Sequence, residues 1–336
     1  MTTGDNRSAE LRATIRTQWL RTPGGFFDRE LPTIEHPLFG RVWSPQMMVD
    51  LTALLAFLGW QLRGGWRGQG DIDWHLDSTA VRRIGEPRPE DDLVGAPATY
   101  LETLVCEYEQ SLLDRARLAG HGRANGRDLR DLELLALLRH HGAATRLMDF
   151  TRNVWVALWF ACREAPDRFG LLVGLDLSGA FEVSDEATLA RPFSELLDRG
   201  SNRLSIWRPS ALSPRIPAQQ GFFLWGLARV NRWGSIGEDL VGIPQQLELI
   251  ESEFQTSRAI PGLVCVAIPP VLKHELSHHW SSLFGYAQET MFPDLDGFAQ
   301  ANAVSAPLPD IREDEANESD VELPSDEELP SDEDPE

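Results

Sequence analysis

The stretch KHELSHHW, residues 273–280, carries His274, Glu275 and His278 in the order HELSH. On one helix that spacing offers two imidazoles to a zinc ion and a carboxylate to the metal-bound water, the chemistry of a metallohydrolase. A helix starting after Pro269 and Pro270 and turning about 100° per residue puts Leu272, Leu276, Trp280 and Leu283 in one arc, which should face the core. His274 and His278 then fall on nearly the opposite side. A catalytic zinc helix needs its histidines turned into a protein-lined cleft beside a third ligand, so the expectation is a solvated face with no metal, and zinc metallohydrolase is the minor alternative. The Asp294 and Asp296 pair of FPDLDG, with Gly297 after it, reads as a turn accepting backbone hydrogen bonds, because two carboxylates without a further cluster hold calcium poorly.

These residues, and the arginines, histidines and threonines considered below, need elements to gather them. Residues 45–61 read as a helix with Pro45 in its first turn and an apolar stripe of Met48, Leu51, Leu54, Leu55 and Leu58, ended by Gly64 and Gly65. WRGQ (66–69), LLVGLDL (171–177), FFLWGLARV (222–230) and GLVCVAI (262–268) read as strands. Helices are expected at about 100–118, 129–140 and 152–164. The irregular mixture predicts an α+β fold, a single domain with a mixed or antiparallel sheet and flanking helices. Gly170 through Ala180 lacks the glycine spacing of a dinucleotide-binding βαβ unit.

A chain of 336 residues with 42% hydrophobic content can bury a substantial core. No apolar run reaches the length of a membrane span and the N-terminus lacks an apolar signal segment, so a cytoplasmic protein with no membrane partner is expected. Cys106, Cys162 and Cys265 are far apart, odd in number and set among apolar neighbours, which suits reduced core residues. Residues 309–336 hold fourteen acidic residues against Arg312, so this tail supplies −13 of the net charge of −21 and the remainder only −8. That sign argues against nucleic acid as a partner, except as a modification target. The tail repeats ELPSDE at 322–327 and 328–333, and the expectation is a disordered acidic segment over 301–336, solubilising or docking a protein partner. Residues 1–44 are set apart as an N-terminal extension and 45–300 as the domain.

Four stretches carry the remaining chemistry: GWRGQGDIDWHLDSTAVRR (65–83), LLALLRHHGAATRLMDFTRNVWVALWFACRE (134–164), IWRPSALSPRIPAQQGFFLW (206–225) and YAQETMFPDLDGFA (286–299). Arg67 sits in a glycine-flanked strand that would let a ligand approach the backbone. In this order the blocks resemble the FRG domain, a family named for a Phe-Arg-Gly motif. The matching positions are Arg67, Gly68, Gln69, Trp74, Leu76 and Arg82, then His140, Gly142, Thr145, Arg146, Leu147, Asp149 and Thr151 with Ala157, Leu158, Phe160 and Ala161. Arg215, Ile216, Gln219, Gly221 and Phe223 follow, and last Phe292 to Gly297. Trp66, Arg139, Ala144, Met148 and Phe150 depart from the family pattern, and Arg139 adds a cation where the family carries glutamine.

A second, remoter resemblance, to ADP-ribosyltransferases, rests on the order of an arginine in a short strand, a threonine-containing turn (MDFTRN) before an apolar helix, and a late glutamate. It implies a nucleotide-like ligand, NAD as a candidate substrate, and ADP-ribose transfer or NAD hydrolysis, while the FRG resemblance implies a toxin or phage-defence effector. Arg67, aided by Arg82, would clamp the pyrophosphate, because arginine pairs bidentately where lysine does not. Glu289 would stabilise the oxocarbenium-like ribose, Thr151 would fix the ribose, and His141 would carry a proton or orient the acceptor. Gln69, Thr145, Arg146, Asp149, Arg215 and Gln219 complete the candidate ligand set, with Asp149 orienting Arg146. The competing reading is a catalytically silent binding module in which Arg67 and Asp149 form an ion pair, the threonines cap and turn, and Glu289 is a surface carboxylate.

Overall fold

The computed structural model describes residues 17–21, 30–37, 39–61, 64–85, 100–124, 126–177, 179–197, 204–209, 212–228 and 263–304. The acidic tail beyond residue 304, with its ELPSDE repeat, lies outside them.

In chain order the strands are β1 (Thr17–Arg21), β2 (Glu30–His36), β3 (Gly40–Trp43), β4 (Gly64–Gln69), β5 (Arg123–Ala124), β6 (Arg127–Asp128), β7 (Met148–Thr151), β8 (Gly170–Asp176), β9 (Phe181–Val183), β10 (Ser205–Trp207), β11 (Gly221–Trp225) and β12 (Leu263–Ile268). The helices are α1 (Met48–Gln61), α2 (Thr79–Ile84), α3 (Tyr100–Leu118), α4 (Asp131–His140), α5 (Val154–Arg163), α6 (Glu186–Leu189), α7 (Arg215–Gln219), α8 (Pro270–Ser277), α9 (Trp280–Phe284), α10 (Gln288–Met291) and α11 (Leu295–Ala301). Ten strands form one sheet in the order β1-β2-β3-β12-β8-β4-β7-β11-β10-β9, and β5 and β6 form a small ribbon apart. Neighbours pair antiparallel except at β3–β12 and β9–β10, so the sheet is mixed and the fold is α+β. Residues 17–43, set apart as an extension by sequence, supply three strands to this sheet.

The central strand β8 is apolar on both faces, as a strand covered on both sides requires. Along β8, Leu172 joins one core cluster while Leu171, Val173 and Leu175 join another. Against the Leu172 side pack α1 through Leu51, Leu54, Leu55 and Leu58, α5 through Val156 to Cys162, and α8 through Leu272 and Leu276. A third cluster sets α3 and α4 against Phe223 and Trp225 of β11. No helix among the described residues is long and apolar enough to cross a membrane. All three cysteines are free, and burial pushes the thiols of Cys162 and Cys265 up to about 12.

Several local expectations need correction. Pro45 precedes α1 instead of lying in its first turn, and Gly64 and Gly65 belong to β4, where a Cβ on Gly65 would lie 2.3 Å from the Phe222 ring. MDFT is strand β7, not a turn. The HELSH helix ends at Ser277 with His278 as its C-terminal cap, and Leu283 is exposed on a separate helix. His274 and His278 are exposed, Leu272, Leu276 and Trp280 are buried, and the described residues contain no group of three or more His, Cys, Asp or Glu able to hold a metal ion.

Candidate functional site

β4 lies between β8 and β7, and it meets β7 at one pair, Trp66 opposite Thr151. Where that ladder stops, the Arg67 side chain bridges the strands: its Nη1 donates to the Asp149 carbonyl oxygen at 2.9 Å. Helix α5 covers β4 closely because Gly68 has no side chain, since a Cβ there would stand 1.8 Å from the Ala157 carbonyl oxygen. The motif glycine is therefore required by helix-on-strand packing.

The strands and α5 form two walls of a cavity of about 450 Å³, within the range of small-molecule sites. Arg67, Gln69, Arg82, Asp149, Thr151, Arg215 and Gln219 all line it, so seven of the eleven residues singled out by sequence converge. Four do not. Glu289 is exposed on α10 and does not reach the cavity. His141, beyond the end of α4, is exposed and pairs with Asp296 at 2.7 Å, while its neighbour His140 takes the place on the lining. Thr145 is fully buried, and its backbone exchanges hydrogen bonds with the Thr79 hydroxyl at 3.0 Å. Arg146 is sealed between Glu102 and Glu109 and is not oriented by Asp149, which pairs with Arg139 at 2.8 Å.

Among the seven, hydrogen bonding separates supports from groups free to meet a ligand. The Thr151 hydroxyl donates to the Gln219 carbonyl oxygen at 2.7 Å and accepts from the Asn153 backbone at 3.0 Å, next to the Asn153 cap of α5. That is the work of a turn residue, which corrects its assignment as ribose anchor. Arg215 pairs with Asp294, donates to the His140 carbonyl oxygen at 2.8 Å and lies 5.1 Å over the Phe292 ring, so it holds the FPDLDG segment to α7. Asp294 also caps α11 by accepting from the Gly297 backbone at 2.9 Å, as expected of a turn carboxylate. Gln69 donates to the Trp74 carbonyl oxygen at 3.0 Å and Gln219 to that of Met291 at 2.8 Å.

Arg67 and Arg82 remain. Neither has an ion pair among the described residues, and the buried Nε of Arg67 has no hydrogen-bond partner there. Burial lowers the Arg67 guanidinium to about 10; Arg139 and Arg82 repel it further, while Asp149 and Glu164 oppose the shift. Burial also lowers Arg82, again with repulsion from Arg139. Burial works to raise the Asp149 carboxyl, but Arg139, Arg67 and His140 outweigh it and hold it below the usual carboxylate range. His140 is pulled down chiefly by burial, so its imidazole is neutral at neutral pH. Its buried Nδ1 has no partner among the described residues.

The lining also contains residues the sequence reading did not select as ligands: Asp77, Arg139, Phe160, Arg163, Glu164 and Phe292. Ala157 and Phe160 lie three residues apart on α5, and Glu164 follows the end of that helix in extended conformation, a grouping masked in ALWFACRE by the apolar character of the whole helix. Arg163 lies over Trp159 and Phe292, at 5.3 and 4.9 Å from the ring centres.

Fold and site together define an α+β protein with an arginine-rich, aromatic-walled cavity beside the centre of its sheet. Residues 63–168 match the family model of the FRG domain, and the chain carries that domain. The match includes β4, α2, α4, β7 and α5, hence Arg67, Arg82, Arg139 and Glu164, whereas the RIPAQQGFF and FPDLDG blocks lie beyond it. No curated protein and no solved structure matches the chain significantly.

Proposed function

We propose that this FRG domain protein binds a nucleotide-like anion in the arginine cavity and consumes NAD there, by ADP-ribose transfer or by hydrolysis. One observation carries the binding half: Arg67, Arg82 and Arg163 line a single cavity without an ion pair among the described residues, beside Trp66, Trp74, Phe160 and Phe292. Guanidinium forks suit a pyrophosphate, and aromatic faces suit a base. Arg82 repels the charge of Arg67, and a bound anion offsets that repulsion.

For the chemical half, breaking the nicotinamide–ribose bond releases neutral nicotinamide and builds positive charge on the sugar, which water or an acceptor then captures. A carboxylate stabilises that charge most at the transition state. Glu289 is badly placed for this. Glu164 is the better candidate, since it lines the cavity, lies in the field of Arg67 and Arg82, and has no ion pair among the described residues. Asp149 is held by Arg139.

Calorimetric titration with ADP-ribose and NAD tests the binding, and Arg67→Lys is expected to weaken it about tenfold or more by losing the bidentate fork. Nicotinamide release from NAD tests the chemistry, with Glu164→Gln expected to abolish it. Failure of the wild-type chain to bind either compound would sink the reading. Binding without nicotinamide release would leave a catalytically silent module. The toxin or phage-defence role follows only from NAD consumption and requires cellular NAD to fall on expression of the wild type but not of Glu164→Gln.

A further inference from the structure

Lys273 is the only lysine of the chain, and it lies on α8 inside the stretch that resembled a zinc motif. Its side chain is turned into the protein at 1% exposure. A buried ammonium needs acceptors for three hydrogens. Nζ donates to the carbonyl oxygens of Gly70 and Glu164 at 2.7 Å and of Ala165 at 2.8 Å, with that of Arg168 at 3.2 Å. It has no carboxylate partner among the described residues, so it serves main chain alone.

The acceptors come from two segments. Glu164 and Ala165 follow the last residue of α5, where carbonyls without helical partners collect, and Ala165 turns the chain there with φ of 46°. A lysine from a distant helix thus caps α5 and complements its dipole. Gly70 follows β4. The two segments are joined further by the Ile72 backbone donating to the Phe169 carbonyl oxygen at 2.8 Å and by Arg168 pairing with Asp71 at 2.6 Å and Asp73 at 2.8 Å. They also touch closely, since a Cβ on Gly70 would lie 2.6 Å from the Glu164 Cβ.

Both Gly70 and Glu164 line the arginine cavity. Immediately upstream of one stand Arg67 and Gln69 on β4; upstream of the other stand Phe160 and Arg163 on α5. We propose that Lys273 is a positioning residue for this cavity: by holding the Gly70 and Glu164 carbonyls on one ammonium, it sets the spacing of the β4 and α5 walls and thereby the affinity for the anionic ligand. This rests on the ligand-binding reading above. A compact ammonium suits four converging carbonyls, whereas a planar guanidinium does not.

The test uses the full chain and ADP-ribose. Lys273→Met, held at a temperature where near-UV circular dichroism matches wild type, is expected to raise the calorimetric Kd about tenfold or more, the size of one lost charge-assisted hydrogen bond. An unchanged Kd in the folded variant, with only the melting temperature lowered, overturns the proposal. If Lys273→Met does not fold, the wild type decides. Lysine labelled with nitrogen-15 in its side chain gives a single ammonium resonance, because no other lysine exists. The proposal requires that resonance to shift during ADP-ribose titration with the calorimetric midpoint, and no shift at saturation overturns it. Absence of any ADP-ribose binding by wild type removes the ligand reading and this inference with it, a result distinct from either.

Discussion

Arg67 and Arg146 stand in neighbouring motif blocks with similar claims to a ligand, yet the fold uses them in opposite ways. Arg146, on the α3 side, is enclosed by Glu109 at 2.6 Å and Glu102 at 2.8 Å, its own backbone donates to Glu109 at 2.7 Å, and its guanidinium lies 5.6 Å over Phe193. Glu102 also accepts from the Ala228 backbone at 2.6 Å. Burial opposes the Arg146 charge, but Glu109 and Glu102 more than restore it, so its pKa stands above the usual arginine value. Arg67 has one carbonyl acceptor and cationic neighbours, and its pKa falls. An arginine whose charge is satisfied within the fold joins elements, and one whose charge is left over is available to a ligand.

Removing each cation separates the two roles. Arg146→Met strands Glu102 and Glu109, at 5% and 2% exposure, without a cation. The expected loss is about 3–5 kcal/mol, read as a lower urea midpoint with an unchanged slope. A loss under about 1 kcal/mol would mean that the clamp is not a structural keystone.

Arg67→Met should behave in the opposite sense. It removes a desolvated, repelled cation at the cost of one hydrogen bond, so the midpoint is expected to move by less than about 1 kcal/mol or to rise. The proposed ligand reading further requires ADP-ribose to raise the melting temperature of the wild type and not that of this variant. A large loss of stability would place Arg67 with Arg146 as a structural residue and remove the main support for the cavity reading.

How far the sequence announced this contrast depends on where each partner lies along the chain. The α+β class, the strands β8, β11 and β12 and the helix at 100–118 follow from local pattern, because each of these elements hides a continuous or periodic apolar face, whereas β4, GGWRGQ, has a single large apolar residue. β7 escaped because MDFT is short and sits between turn residues, so only its antiparallel neighbours on both sides make it a strand. Arg67, Arg82 and Gln69 were legible through the motif. The roles of Arg146 and Arg215 were not, since Glu102 and Glu109 lie outside all four blocks and Asp294 stands in a different block from Arg215. Glu289 was chosen by order along the chain, and order does not fix which way a short helix turns its carboxylate. Lys273 passed unused because the HELSH pattern drew attention to the exposed face of its helix, whereas the interaction lies on the buried one.

The smallest expected effect concerns His140, which belongs to the cavity but is tied to the fold around it. Its ring lies 5.4 Å from Phe223 and its carbonyl oxygen accepts from Arg215. Burial lowers its pKa from the ordinary 6.5, with Arg215, Arg139 and His141 adding to the shift against the pull of Asp149. The unfolded chain therefore binds a proton at His140 before the folded one does. The stability contribution is whole above about pH 6.5 and is lost as pH falls toward the lowered folded value. Carboxylates with lowered values, such as Asp149 and Asp73, lose theirs only further down, as pH drops below the ordinary 3.8. Urea midpoints between pH 7 and pH 5 should fall more steeply for wild type than for His140→Gln, while at pH 7.5 the difference between the two no longer depends on pH. Parallel pH profiles would mean that the imidazole is solvated, and the cavity wall beside Asp149 would then be more open to water than its packing implies.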